Sequence, residues 1–219
     1  MSCNSVDEEP ELTVLERFRQ FWTNFFKPIS HLLMKLGVSP DAVTFVGTFG
    51  VAAGALVFFP RGQLWIGVLV ITAFVFSDLV DGYMARQLGT SSKWGAFLDS
   101  TLDRLGDAAI FTGLAIWFFG DGDDLLLAYV ALWALVMGSV TSYSRAKAES
   151  LGMKAKTGIA ERADRLVSVL ALTFFADVLD LPILLAIVLW AIAAASTVTV
   201  VQRMILVHRQ AVADPRLPS

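Results

Sequence analysis

Cysteine is almost missing from this 219-residue chain: Cys3 stands alone, so neither an intrachain disulfide nor a thiolate zinc site can form. Histidine is nearly as scarce, with only His31 and His208, which excludes a histidine-rich metal centre. Any metal must therefore be held by oxygen, and oxygen donors favour magnesium, manganese or calcium. Charge is thin as well: 17% of residues are Asp, Glu, Lys or Arg, against about 25% in an ordinary soluble domain. What fills the chain instead is apolar. Hydrophobic residues make up 56%, with 6 Trp and 16 Phe, and the mean hydropathy is +0.64. Such a composition reads as one polytopic membrane domain with little left for a soluble module, and no nucleic-acid partner is expected of it. The start of the chain (Asp7, Glu8, Glu9, Glu11) is acidic where a signal peptide would be basic and then apolar, so no cleavable signal is expected.

Three segments are free of charge and long enough to cross a bilayer, which takes about 20 apolar residues: Ala42 to Pro60, Leu125 to Ser144 and Leu181 to Gln202. Three more become long enough only if the helix includes its charged end. Gln63 to Ser77 runs into Asp78; Ala108 to Gly120 follows Asp99, Asp103, Arg104 and Asp107; Leu166 to Ala176 follows Glu161, Arg162, Asp164 and Arg165. The expected fold is an all-α membrane protein of six transmembrane helices. Its boundaries are a segment at 1–40, the membrane domain at 41–207 and a cytoplasmic tail at 208–219, loose over the last ten residues. Six spans put both termini on one side, and that side collects every basic residue except Arg61. By the positive-inside rule it is the cytoplasmic side of the membrane.

Before the first span, Val14, Leu15, Phe18, Phe21, Trp22, Phe25, Phe26, Ile29, Leu32, Leu33 and Leu36 recur at three- and four-residue steps beside Arg17, Arg19, Lys27 and Lys35. One apolar stripe flanked by cations fits an amphipathic helix lying in the membrane interface. Ser39 and Pro40 then read as N-cap and first position of the first span.

The charges inside the spans are patterned, and intramembrane charge is costly enough to be functional by default. Helix 2 ends in Asp78-Leu-Val-Asp81-Gly82-Tyr-Met-Ala85-Arg86, and Gly95-Ala-Phe-Leu-Asp99-Ser-Thr-Leu-Asp103 opens helix 3. Asp78 and Asp81 share one helical face, as do Asp99 and Asp103. A short turn joins the two helices, so both pairs fall at similar depth. Four facing carboxylates in a poorly solvated place would repel strongly; bound cations make the arrangement sensible, and four acids suit two divalent ions. Gly82, Ala85 and Gly95 would let a bulky ligand such as a nucleotide approach the backbone, and Arg86 could pair with a phosphate or with Asp81. The plainer reading has the small residues serving helix packing and the acids pairing with Arg86 and Arg104.

The string Asp-x2-Asp-Gly-x2-Ala-Arg-x8-Gly-x3-Asp-x3-Asp, from Asp78 to Asp103, resembles the signature of the CDP-alcohol phosphatidyltransferases and is matched at every fixed position. The resemblance extends over roughly residues 28 to 205. It implies that Asp78, Asp81 and Asp99 hold two Mg2+ ions (or Mn2+), with Asp103 beside them as ligand and general base. It implies that Gly82, Ala85, Arg86 and Gly95 border the cytidine diphosphate of CDP-diacylglycerol. An alcohol would attack the lipid-side phosphorus with CMP leaving. Members are commonly homodimers. Asp107 falls outside the signature and reads as a supporting acid.

For the acceptor, Ser142-Tyr-Ser-Arg145-Ala-Lys147-Ala-Glu149 closes helix 4, Glu161-Arg162-Ala-Asp-Arg165 opens helix 5, and Arg203 ends helix 6. Converging cations make a phosphate pocket, although the positive-inside rule alone also expects cations here and suffices for Lys154 and Lys156. The stretch resembles the inositol-phosphate-using bacterial branch of the family, which implies that Ser142, Arg145, Lys147, Arg162, Arg165 and Arg203 hold the acceptor. Within the family, glycerol 3-phosphate is the competing acceptor. Outside it, intramembrane acids could serve a cation or proton transporter. Transporter sites lie near the midplane between broken helices, whereas these acids lie toward the cytoplasmic ends.

Overall fold

The computed structural model describes residues 27–89, 92–159 and 161–213, giving the backbone alone at Asp78 and Leu79. Every regular element among them is helical. After a helical stretch at 27–35 come α1 (Pro40–Phe58), a short 3-10 turn (Phe59–Arg61), α2 (Leu64–Val75), α3 (Ser77–Gln87), α4 (Lys93–Phe119), α5 (Leu125–Ser150), α6 (Arg162–Val178) and α7 (Ile183–Ala213).

Local chemistry sets the helix starts. Ser39 Oγ accepts from the Ala42 amide at 3.2 Å and Pro40 opens α1 as expected. Ser92 does the same for Gly95 at 3.0 Å, and Asp124 for Leu127 at 2.9 Å. The α2 start is capped from afar: Asp177, at the end of α6, accepts from the Trp65 amide at 2.8 Å. Side chains of Val51, Ala55, Phe59, Ile71, Ile110, Leu114, Val169 and Leu189 form one core drawn from α1, α2, α4, α6 and α7. Close approach depends on small residues, as is usual between membrane helices. A Cβ at Gly113 of α4 would come within 2.7 Å of the Ala55 carbonyl oxygen of α1.

The outside is apolar too. Phe49, Trp65, Leu69, Tyr129, Trp133, Ile187 and Trp190 all face outward, an exterior suited to lipid rather than water. Four stretches are long and apolar enough to cross a membrane: Pro40–Arg61, Leu64–Gln87, Leu125–Ser150 and Ile183–Ala213. The chain is a multi-pass, all-helical membrane protein. Of the other two helices expected to span, α4 carries its charges in its first half and α6 has only 17 residues.

Helix 2 includes its charged end as expected, in the stretch Leu64–Gln87, with the single residue Phe76 interrupting it next to Ser77, whose hydroxyl a Cβ at Gly47 would meet at 1.9 Å. One expectation changes. The tail is not loose as far as Ala213, because α7 continues. Gln210 there accepts from the Lys154 amide at 2.9 Å and donates to the Lys154 carbonyl at 2.6 Å, so the extension clamps the α5–α6 connection. The interfacial stripe from Val14 to Phe26 lies outside the described residues.

Replacing Gly113 with leucine should force α1 and α4 apart at a cost of about 1–3 kcal/mol. The check is heating the detergent-solubilised protein, where the variant should lose its monodisperse peak at a lower temperature than the parent.

Candidate active site

Helix α1 packs against both α3 and α4, and the space left between their ends is an open cleft of about 610 Å³ lined by residues including Asp41, Thr44, Asp81, Gly82, Ala85, Arg86, Gly95 and Asp99. All the small residues singled out from the sequence, and Arg86, face it. They are not there for packing: a Cβ at Gly82 would find nothing nearer than Arg86 Nη1 at 3.5 Å, and one at Gly95 nothing nearer than Ser92 Oγ at 3.6 Å. Their missing side chains widen the cleft instead. Trp94 Nε1 donates to Asp41 Oδ2 at 3.1 Å and ties the start of α4 to the start of α1 at its rim.

Asp81 is 7% exposed, and Thr44 of α1 donates to its Oδ2 at 2.6 Å. The Thr44 hydroxyl also lies 3.1 Å from the Pro40 carbonyl, but its single proton serves the shorter contact. Among the described residues no cation stands within ion-pair distance of Asp81 or Asp99, so neither is neutralised by Arg86 or Arg104. A buried carboxylate without a counter-charge close by, as Asp81 is, is strongly unfavourable; it shares the cleft with the exposed Asp99, and both are hard oxygen donors that fit a divalent cation. Asp78 sits one turn before Asp81 on α3. Among the described residues no three metal-binding side chains yet converge.

Asp103, expected beside Asp99, lines a second chamber of about 390 Å³ together with Arg104, Ser142, Arg145, Arg162, Arg165 and Arg203. Its Oδ1 lies 3.0 Å from Arg162 Nη1. Arg162 Nε reaches Asp107 Oδ1 at 3.2 Å, and Arg165 Nη2 is 3.8 Å from Asp107 Oδ2. Asp107 is thus the supporting acid of the chamber. Beside the three groups Asp103, Asp107 and Arg162 lies a cavity of about 20 Å³, room for a single water.

Five arginines therefore meet in one chamber, two of them deeply buried: Arg165 is 4% exposed and Arg203 3%. Arg203 Nε donates to the Thr157 carbonyl at 2.9 Å and its Nη1 to the Thr141 carbonyl, while among the described residues no carboxylate lies within ion-pair distance of it. Carbonyls hold the guanidinium in place, and Glu161 and Glu149 act on its charge only from beyond ion-pair distance, which leaves room for an anion beside it. Arg145 at the rim pairs with Glu149 at 2.9 Å. The structure does not bring Lys147 to this chamber: two residues from Arg145, it points about 200° away around α5 and is exposed. Arg104 and Thr44 are the residues that sequence reasoning left without a role in the site. Arg104 was marked by its place next to Asp103; Thr44 had no mark beyond a hydroxyl in an uncharged span.

The sequence model of the CDP-alcohol phosphatidyltransferase family matches residues 37–161. The phosphatidylinositol phosphate synthase of Streptomyces avermitilis is 52% identical over 198 residues, covering 88% of this chain and 81% of its own. That of Cutibacterium acnes is 51% identical over 203 residues, covering 90% and 98%. Among solved structures, Mycobacterium tuberculosis phosphatidylinositol phosphate synthase with CDP-DAG bound superposes with a TM-score of 0.80 at 39% identity, over 86% of this chain and 94% of that one. The same enzyme in complex with manganese and citrate gives 0.79 at 40% identity, over 83% and 88%.

The Thr44–Asp81 hydrogen bond generates a prediction. Thr44→Val should weaken divalent-cation binding by about tenfold or more, the usual effect of removing a group that orients a metal ligand, and Thr44→Ser should restore it. Titration of the purified protein with Mn2+, followed by the paramagnetic signal of the free ion, reads the difference.

Proposed function

Because the chain belongs to the CDP-alcohol phosphatidyltransferase family, we propose that it transfers the phosphatidyl group of CDP-diacylglycerol to inositol phosphate, giving phosphatidylinositol phosphate and CMP. What favours a phosphorylated acceptor is the arginine chamber, above all the buried Arg203 beside Arg165, with no carboxylate within ion-pair distance of Arg203 among the described residues. Its neighbour on α4, the glycine-walled acidic cleft, takes the cytidine diphosphate of the lipid donor, with Gly82, Ala85 and Gly95 giving room and Arg86 pairing with a phosphate.

The metal would be held by Asp78, Asp81, Asp99 and Asp103, as two Mg2+ ions or Mn2+ in their place. When bound, the ions supply neutralisation of the pyrophosphate oxygens. The residues of the chain do the rest. Arg162, Arg165 and Arg203, with Ser142 and Arg145 nearer the rim, grip the acceptor phosphate through charge-assisted hydrogen bonds and fix the hydroxyl in place. The hydroxyl oxygen forms a bond to the lipid-side phosphorus as the bond from that phosphorus to the CMP oxygen breaks. Asp103, one turn from Asp99 on α4, takes the hydroxyl proton. The site lies at the cytoplasmic side of the bacterial inner membrane, with six helices crossing it, both termini cytoplasmic and the Val14–Leu36 stripe in the interface. The near-complete gathering of basic residues on one side supports that orientation. The working unit of this reading is a homodimer, as the family resemblance implies.

Purified protein given CDP-diacylglycerol and Mg2+ should release CMP with inositol phosphate and not with free inositol. Release with glycerol 3-phosphate instead would overturn the reading of the chamber. Asp99→Asn should abolish release while leaving the protein folded. Arg203→Lys keeps the charge but loses the fork. It should raise the KM for inositol phosphate about tenfold while lowering kcat less, as expected for lost substrate binding.

A further inference from the structure

Arg162 is committed twice in this structure, and the two commitments conflict with the role proposed for it. Its Nη1 is 3.0 Å from Asp103 and its Nε 3.2 Å from Asp107. An acceptor phosphate drawn to this guanidinium competes with the two carboxylates for its charge and its donors. Asp107 has Arg165 as a second counter-charge, 3.8 Å away, and sits a full turn farther along α4. Asp103 is one turn from Asp99, yet it lines the arginine chamber and pairs with Arg162, while Asp81 and Asp99 line the acidic cleft. Arg162 occupies the first position of α6, and its side chain remains 30% exposed. It can therefore swing without moving the helix.

Resting on the acceptor reading above, we infer that Arg162 positions Asp103 by exchange: it holds the carboxylate away from the cation site until the phosphate of the acceptor replaces it as the partner of the guanidinium. Acceptor phosphate and divalent cation then bind with positive coupling. The coupling is reciprocal, since a cation that draws Asp103 toward Asp81 and Asp99 leaves the arginine fork open for phosphate. Neither ligand needs to touch the other for the effect.

The experiment is Mn2+ titration of the full-length protein in lipid nanodiscs, read by the paramagnetic signal of the free ion. It is run without additive, with inositol phosphate, with inorganic phosphate and with free inositol. Inositol phosphate should tighten Mn2+ binding at least about fivefold, the lower range of ordinary coupling between sites. Inorganic phosphate should act in the same direction and free inositol should have no effect. Arg162→Gln should bind Mn2+ more tightly than the parent without additive and show no response to inositol phosphate, and Arg162→Lys should recover part of the response. Calorimetry of inositol phosphate binding without metal separates the two ways to fail. If inositol phosphate binds and Mn2+ affinity does not move, the exchange is wrong and the acceptor reading stands. If inositol phosphate does not bind at all, the acceptor reading itself falls. A response that persists in Arg162→Gln would also overturn the exchange. The parent titration decides the matter even if that variant fails to fold.

Discussion

Charge inside an apolar helical bundle has to be matched close by, and in this protein the match is deliberately incomplete. Asp103, Asp107, Arg162 and Arg165 neutralise one another across α4 and α6. On either side of that knot the balance thins in opposite directions: among the described residues no cation lies within ion-pair distance of the buried Asp81, and no carboxylate within that distance of the buried Arg203. Each lone buried charge is unfavourable by itself. Together they describe a site that waits for a cation on one side and an anion on the other, with the knot as the joint between them.

The rest of the fold holds this arrangement still. α1 packs on both α3 and α4 and brings Thr44 onto Asp81. Close helix contact at Gly113 and Ala55 keeps α1 tight against α4 beyond the charged zone. α5 and α7 pack together and carry Thr141 and Arg203. The α5–α6 connection is strapped to α7 by Arg203, Thr199 and Gln210. The arginine chamber is thereby walled by elements that share one apolar core, so its cations are placed by packing rather than by a ligand.

The sequence made much of this readable, for reasons that differ from residue to residue. The Asp78–Asp103 spacing was legible because intramembrane charge is rare enough to stand out and because the gaps fix which residues share a helical face. The apolar segments located the helices since lipid demands long runs. Thr44 was not legible: a threonine in a span ordinarily bonds its own backbone, and only the packing of α1 on α3 shows that it serves Asp81. The pairing of Asp103 with Arg162 was missed because same-face spacing says where a side chain starts, not which partner it meets. Lys147 misled because nearness in sequence was taken for nearness in space, against the helical period that separates it from Arg145. The interruption at Phe76 has no glycine or proline to announce it, and the extension of α7 to Ala213 rests on a single clamp by Gln210.

The central claim is that two adjoining chambers divide the work, cation and nucleotide in the acidic cleft and acceptor phosphate among the arginines. The most direct measurement is a crystal or cryo-EM structure of the protein soaked with Mn2+ and inositol phosphate, with the manganese located by its anomalous signal where diffraction allows. The account predicts manganese on Asp81 and Asp99 with Asp103 turned toward it, and the phosphate between Arg165 and Arg203. Phosphate seated beside Arg86 in the acidic cleft, with the arginine chamber holding only solvent, would contradict it.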